Sequence, residues 1–238
     1  MARTQRADLH QRADAILDAA AELLASVEPR ELRIDEVARR AGVGKGTVYL
    51  HWASREHLVL AVAAREAVAM LGTIIDAVRA DPAEAALHRY MRRHFLEASR
   101  RPILKRVFIT QPDELSALAE HPARSQLAAT KRLATRQHLA ALRTHRLLRT
   151  GVDLGEVDYA MQAVAYGFFA SAPFLAPGDG SFSLEYQADR LAAIIQRSFE
   201  PSREPAIKRY AAAAPQVVDA FELLREAFRR TAYGSAAD

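Results

Sequence analysis

Four side chains within seven residues, Lys45, Thr47, Tyr49 and His51, can each donate a hydrogen bond to a phosphate oxygen or a base edge. They lie in a short run whose apolar members, Val48 and Trp52, are four residues apart. A helix over this run turns the apolar pair to one side and leaves the donors on the other. Just before it, Ile34, Val37, Ala38 and Ala41 repeat at helical spacing and stop at Gly42, where the chain needs a residue tolerant of positive φ. Val43 buries the turn. The pattern is helix, tight turn, helix, and the second helix is too short and too polar-faced to be a core element. Donors presented this way suit the major groove of DNA.

The same glycines raise the question of a nucleotide-binding loop. Gly42-Val43-Gly44-Lys45-Gly46-Thr47 has no glycine at 47 to finish G-x-G-x-x-G and none five residues before Gly44-Lys45 to form a phosphate loop. A helical pattern also stands where such loops need a strand.

Catalytic chemistry finds little footing. Eight histidines are scattered without H-E-x-x-H spacing, and no G-x-S-x-G is present. His138 and His145 share one helix face but are separated by about 10.5 Å of helical rise, too far to ligate one metal, and read as surface. Zero cysteines exclude disulfides, thiol nucleophiles and cysteine-ligated zinc. The expectation is a non-enzyme with no cofactor and no metal.

Half of the 238 residues are hydrophobic and 26% are charged, enough for one large helical domain and a small one. No stretch reaches 18 uncharged apolar residues, and Arg3, Arg6, Asp8 and Arg12 deny the N-terminus a signal-peptide core, so the reading is cytoplasmic, with no membrane. Charge is unevenly spread. Residues 1–60 are neutral, 89–149 carry +10 and 150–200 carry −5. A neutral DNA-binding segment must rely on placed contacts and on pairing of two copies more than on bulk charge. The basic middle fits either an anionic ligand or a solvated face paired with the acidic segment.

Periodicity predicts an all-α chain. Helices are expected over about 8–26, 34–41, 45–52, 55–79 with Ser54 as cap, and to about Arg100 after an Asp81-Pro82 restart. Short helices follow around 104–110 and 113–119, then a long one over 123–150 stopped by Gly151. Residues 153–176 form a helix apolar on nearly every side and 183–199 an amphipathic one. Pro201, Pro205 and Pro215 break the tail before a final amphipathic helix over 216–231. These elements divide into a DNA-binding segment, 1–60, a ligand-binding and dimerisation segment, 61–200, and an extension, 201–238.

The run from Ala41 to Trp52, followed by Ser54-Arg55-Glu56 and Leu58, resembles the AGVSKGTLYxHFxSKExL pattern of the TetR family of transcriptional regulators. That resemblance implies a three-helix helix-turn-helix domain followed by a helical domain that binds a ligand and dimerises; the last helix lies beyond the family's usual end. Carried over by position, it sets Lys45, Gly46, Thr47 and Leu50 nearest base edges. Thr47, Tyr49 and His51 contact backbone, and Arg55 stands for the family's phosphate-binding lysine. Tyr49 also reads as a half-buried packing residue, and Trp52, where the family usually has Phe, as a core plug. Arg33 replaces a capping Thr and could reach a phosphate, while Gly44 replaces a capping Ser. Glu28-Pro29 departs from the family's turn, and the arm with Arg3 and Arg6 is either a minor-groove reader or disordered.

For a small organic effector the candidates are Tyr90, His94, Phe95, Phe108, Tyr159, Gln162, Tyr166 and Phe169, an aromatic set with polar handles. For a homodimer built on a four-helix interface they are Met161, Val164, Phe168, Leu191 and Ile195. The resulting expectation is a homodimeric repressor on a palindromic double-stranded DNA operator, released when an effector shifts the fourth helix. The alternative is an adaptor that keeps the fold without reading DNA.

Overall fold

The computed structural model describes residues 2–105, 122–171 and 182–234, and among them all regular structure is helical. In chain order the α-helices are α1 (Ala2–Leu24), α2 (Ile34–Arg40), α3 (Lys45–His51), α4 (Arg55–Ala80), α5 (Leu87–Ser99) and α6 (Pro102–Lys105). They continue with α7 (Pro122–Thr144), α8 (Leu154–Ser171), α9 (Leu184–Phe199) and α10 (Ile207–Tyr233). The chain gathers into two compact units. One draws on the described residues within Met1–Val68, Arg101–Ala128 and Glu226–Asp238, the other on those within Ala69–Arg100 and Ala129–Arg225. Within the 201–238 extension, α10 contributes residues to both units.

In the first unit, Ile16, Leu17 and Leu24 of α1, Val37 of α2, Val48 of α3, Trp52 and Leu58 of α4 form one buried cluster. Each such aliphatic side chain contributes about 1.5–3 kcal/mol by leaving water. The turn between α2 and α3 follows from hydrogen bonding. Val43 N donates to the Ala38 carbonyl at 3.0 Å and Gly42 N to that of Arg39 at 3.3 Å, a closure that requires the left-handed φ of +66° at Gly42. Ser54 caps α4 as expected, its Oγ accepting from His57 N at 3.1 Å. The helix expected from Asp8 begins instead at Ala2, so the backbone that carries Arg3 and Arg6 is helical. Glu28-Pro29 opens a 3-10 turn, Pro29–Glu31, with Pro29 buried.

In the second unit, Asp81 Oδ1 accepts from Ala83 N at 2.9 Å, but the turn it caps is 3-10, Pro82–Ala85, ahead of α5. The helix expected to reach Thr150 stops at Thr144. Arg146, not Gly151, takes the left-handed position first, at φ 55°, while Leu147 N donates back to the Leu142 carbonyl at 2.8 Å and the Leu147 side chain is buried. A buried leucine after the turn holds a conformation that arginine alone disfavours. Asp153 Oδ1 then caps α8 by accepting from Gly155 N and Glu156 N, and Ser183 Oγ caps α9 by accepting from Tyr186 N. Pro215 does not break the tail but lies inside α10. Its ring nitrogen has no proton to offer the carbonyl four residues back, which the rest of the helix tolerates.

Among the described residues α4 is long and apolar enough to cross a membrane, and 67% of that apolar stretch is buried inside the protein.

Candidate nucleic-acid interface and ring cluster

The face of α3 is built by anchoring one residue and exposing its neighbours. Val48 is buried and Trp52, just past the helix, is 1% exposed, so Tyr49 at 44% and Leu50 at 87% project outward. Lys45 and Gly46 are exposed beside them, and Thr47 is half-buried with its backbone N–H donating to the Gly44 carbonyl at 2.9 Å. A Cβ added at Gly46 would meet nothing within 4 Å, so no protein neighbour requires a glycine there. Gly44 sits at φ −74° and ψ 149°, open to any residue, and makes no side-chain cap.

The charged members are engaged in the free protein. Lys45 Nζ lies 2.6 Å from Asp35 Oδ1, and that hydrogen-bonded pair raises the lysine pKa and lowers that of the aspartate. Arg33 adds its charge to the field on Asp35; its own side chain is exposed and it caps α2 through no side-chain bond. Arg55 is folded back, with Nε and Nη2 donating to Glu56 Oε1 at 3.0 and 2.6 Å and Nη1 to the Arg30 carbonyl at 2.6 Å. His51 is half-buried against the Trp52 ring, 5.3 Å between centroids. Burial, then the charge of Arg12, lowers its pKa, so it faces solvent as a neutral imidazole at neutral pH. The structure thus brings Arg33, Lys45, Gly46, Thr47, Tyr49, Leu50 and His51 together on and around α3. Arg55 reaches a phosphate only by leaving Glu56.

Residues 16–62 match the sequence profile of bacterial regulatory proteins, tetR family. Over this stretch the chain carries a DNA-binding domain of the tetR type. None of the curated proteins matches the sequence. Among solved structures the chain is similar to the transcriptional regulator SCO4942 of Streptomyces coelicolor, with a TM-score of 0.54 and 23% identity over 79% of this chain and 98% of that one. The fatty acid degradation regulator FadR of Bacillus halodurans gives 0.54 and 17%, over 77% and 94% of the two chains. A TetR-family regulator of Rhodococcus sp. gives 0.51 and 22%, over 79% and 98%. These likenesses establish the fold.

The second unit holds a ring cluster in its interior. Tyr90 stacks on Phe221 at 4.9 Å and meets the edge of His138 at 5.0 Å, while Phe95 packs on Phe169 at 4.8 Å and His94 meets Phe169 at 6.5 Å. Four of the effector candidates therefore converge: Tyr90, His94, Phe95 and Phe169. Three do not. Gln162 is exposed and bonds Asp158 at 2.7 Å, and Tyr159 and Tyr166 are 77% and 53% exposed, because they lie on the outer face of α8. Phe108 lies outside the described residues. His138, expected at the surface, is 2% exposed, since the α7 face it shares with buried Leu142 is the inner one. Burial pushes both His94 and His138 down to about 4, the charge of Lys131 adding to the effect at His94 and a contact with the Ala85 carbonyl opposing it at His138. Among the described residues, His94 Nδ1 is buried without a hydrogen-bond partner.

Among the dimer candidates Met161, Leu191 and Ile195 are buried within the subunit and cannot form an outer face. Val164 and Phe168 do reach one, lining an open apolar groove of about 550 Å³ with Phe182 and Tyr186. The exposed large apolar side chains of α8 and α9 are Tyr159, Tyr166, Tyr186 and Ile194.

Among the described residues, Arg89, Arg92, Arg93 and Arg100 of the basic segment are paired. Arg92 meets Asp189 at 2.6 Å and Arg100 meets Glu185 at 3.3 Å, both in the acidic segment, while Arg93 meets Glu84 at 2.8 Å and Arg89 meets Asp81 at 3.2 Å.

Proposed function

We propose that this protein acts as a homodimeric repressor of the TetR type, placing α3 of each subunit in successive major grooves of a palindromic operator. The observation that carries the reading is the α3 face. Leu50, an apolar side chain 87% exposed, stands among Lys45, Gly46, Thr47 and Tyr49, and this mixture suits a groove that offers phosphate oxygens, base edges and thymine methyl groups. Lys45 trades Asp35 for a phosphate on binding. Gly46 lets the sugar-phosphate backbone come close. Arg33, His51 and Arg55 supply flanking contacts.

Release is assigned to a small organic effector at the ring cluster of Tyr90, His94, Phe95 and Phe169, joined by His138 and Phe221. The His94 Nδ1, without a partner among the described residues, supports a ligand with a polar group there. The transmitting element is α4, whose residues belong to both units. Successive major grooves lie about 34–36 Å apart, so a shift of a few ångströms between the two copies of α3 loses the operator.

Footprinting of purified protein on the DNA upstream of its own gene tests this reading. A protected palindrome whose affinity falls steeply with salt is the expected outcome. Binding that ignores sequence, or no binding, defeats it.

A further inference from the structure

The last turn of α10 reaches the end of the recognition helix. Ala232 is fully buried, and its carbonyl accepts a 3.1 Å hydrogen bond from Nε1 of Trp52, the residue that terminates α3. One position on, the Tyr233 hydroxyl donates to Asp14 Oδ1 of α1 at 2.8 Å, and the Tyr233 ring lies 5.6 Å from that of His10 in a stacked arrangement. Carbonyls in the final turn of a helix have no partner within the helix, so the C-terminal turn is free to serve a donor elsewhere. The donor it serves is the indole of the chain's single tryptophan. Trp52 is also where α3 ends, its backbone extended at φ −134° and its N–H closing the last helical bond onto the Val48 carbonyl at 2.9 Å. The direction of α3 and the seating of that indole are therefore set at one residue.

We infer that Ala232 and Tyr233 are positioning residues of the recognition helix: the C-terminal turn completes the DNA-binding unit and fixes the attitude of α3 through Trp52, with Asp14 holding the turn in place. This rests on α3 being the DNA-reading element but concerns a part of the chain that the family's motif does not include. Contact made by the turn itself with DNA is not required. The turn acts through an indole, so its loss misplaces Lys45 to Leu50 while leaving each of them intact.

The test uses the full chain with Tyr233→Ala and, as a milder change that keeps the ring, Tyr233→Phe. Three readouts are compared with wild type: emission of Trp52, backbone amide exchange resolved by helix, and binding to a DNA fragment from upstream of the gene. Expected are a red-shifted Trp52 emission and exchange at least tenfold faster at amides 48–52, with Val37 and Ala38 unchanged. DNA binding weakens about tenfold, and Tyr233→Phe gives the same pattern at smaller amplitude. Faster exchange spread evenly over α1, α2 and α3 would make the contact merely stabilising and overturn the inference, as would unchanged emission and exchange. The first two readouts need no DNA. Failure of the DNA-binding reading is thus seen separately, as wild-type protein that does not bind.

Discussion

On the proposed function, Lys45 and Gly46 separate two ways in which a residue can serve DNA. The lysine enters binding from an ion pair with Asp35 at 2.6 Å, both partners exposed, so part of its attraction for phosphate is already satisfied in the free protein. Asp35→Asn should therefore strengthen operator binding several-fold, and Lys45→Ala should weaken it and lower the slope of log affinity against log salt by about one. Salt titrations of both variants check this, and an unchanged slope in Lys45→Ala would remove Lys45 from the phosphate contacts. At Gly46 the free protein is indifferent to a methyl group, since a Cβ meets nothing within 4 Å, and alanine is favoured over glycine in a helix by about 1 kcal/mol. Gly46→Ala should melt no lower than wild type yet bind the operator at least tenfold more weakly. Gly42→Ala makes the useful contrast: the left-handed φ of +66° costs an alanine about 1–2 kcal/mol, so stability falls first. If both alanines instead leave DNA binding intact, the close approach of backbone to α3 is wrong.

At the scale of elements, the helix-turn-helix was legible in the sequence because each step there is local. Apolar spacing, a glycine at the turn and a serine before α4 are short-range signals, and α2 and α3 came within a residue of their ends. The ring cluster was less legible for a geometric reason. Which side of α8 faces inward depends on α5 and α9, so Phe169 was separated from Tyr166 and Gln162 only by the packed structure. His138 was missed because two histidines seven apart suggest a metal or a surface before they suggest a core, although Leu139 and Leu142 beside it carried the inward signal. Pro215 misled by a rule that holds for isolated helices and yields to tertiary packing.

His94 of α5 and His138 of α7 make a prediction at this scale. Both folded-state values lie near 4 against an ordinary 6.5, so the unfolded chain binds protons first as pH falls. Stability is then full above about 6.5 and lost as pH drops toward 4, with a slope of about 1.4 kcal/mol per pH unit from each histidine. Urea unfolding at pH 7, 6 and 5 should show the decline, and His94→Phe and His138→Phe should each flatten it. A slope indifferent to both replacements would mean that carboxylates carry the acid sensitivity.

For the whole molecule the weighting of charge and pairing matters most. The first 60 residues hold equal numbers of acidic and basic side chains, so on the proposed reading one subunit has little long-range hold on DNA and affinity comes from joining two. The faces available for that joining are the outward sides of α8 and α9. Tyr166 is 53% and Ile194 42% exposed, and both are large side chains that a folded subunit leaves in water, whereas Leu191 is fully buried. Tyr166→Asp with Ile194→Asp should therefore give a monomer in sedimentation at micromolar concentration, still helical by circular dichroism. Operator affinity should fall by at least a hundredfold, since joining two binding modules typically adds 10²–10⁴-fold. Leu191→Asp should act differently, unfolding the subunit by placing a carboxylate among buried apolar groups. The comparison is decisive because Ile194 and Leu191 sit on one helix, three residues apart. A Tyr166, Ile194 double variant that sediments as a dimer would move the interface off α8 and α9, and with it the account of how a neutral DNA-binding domain holds its operator.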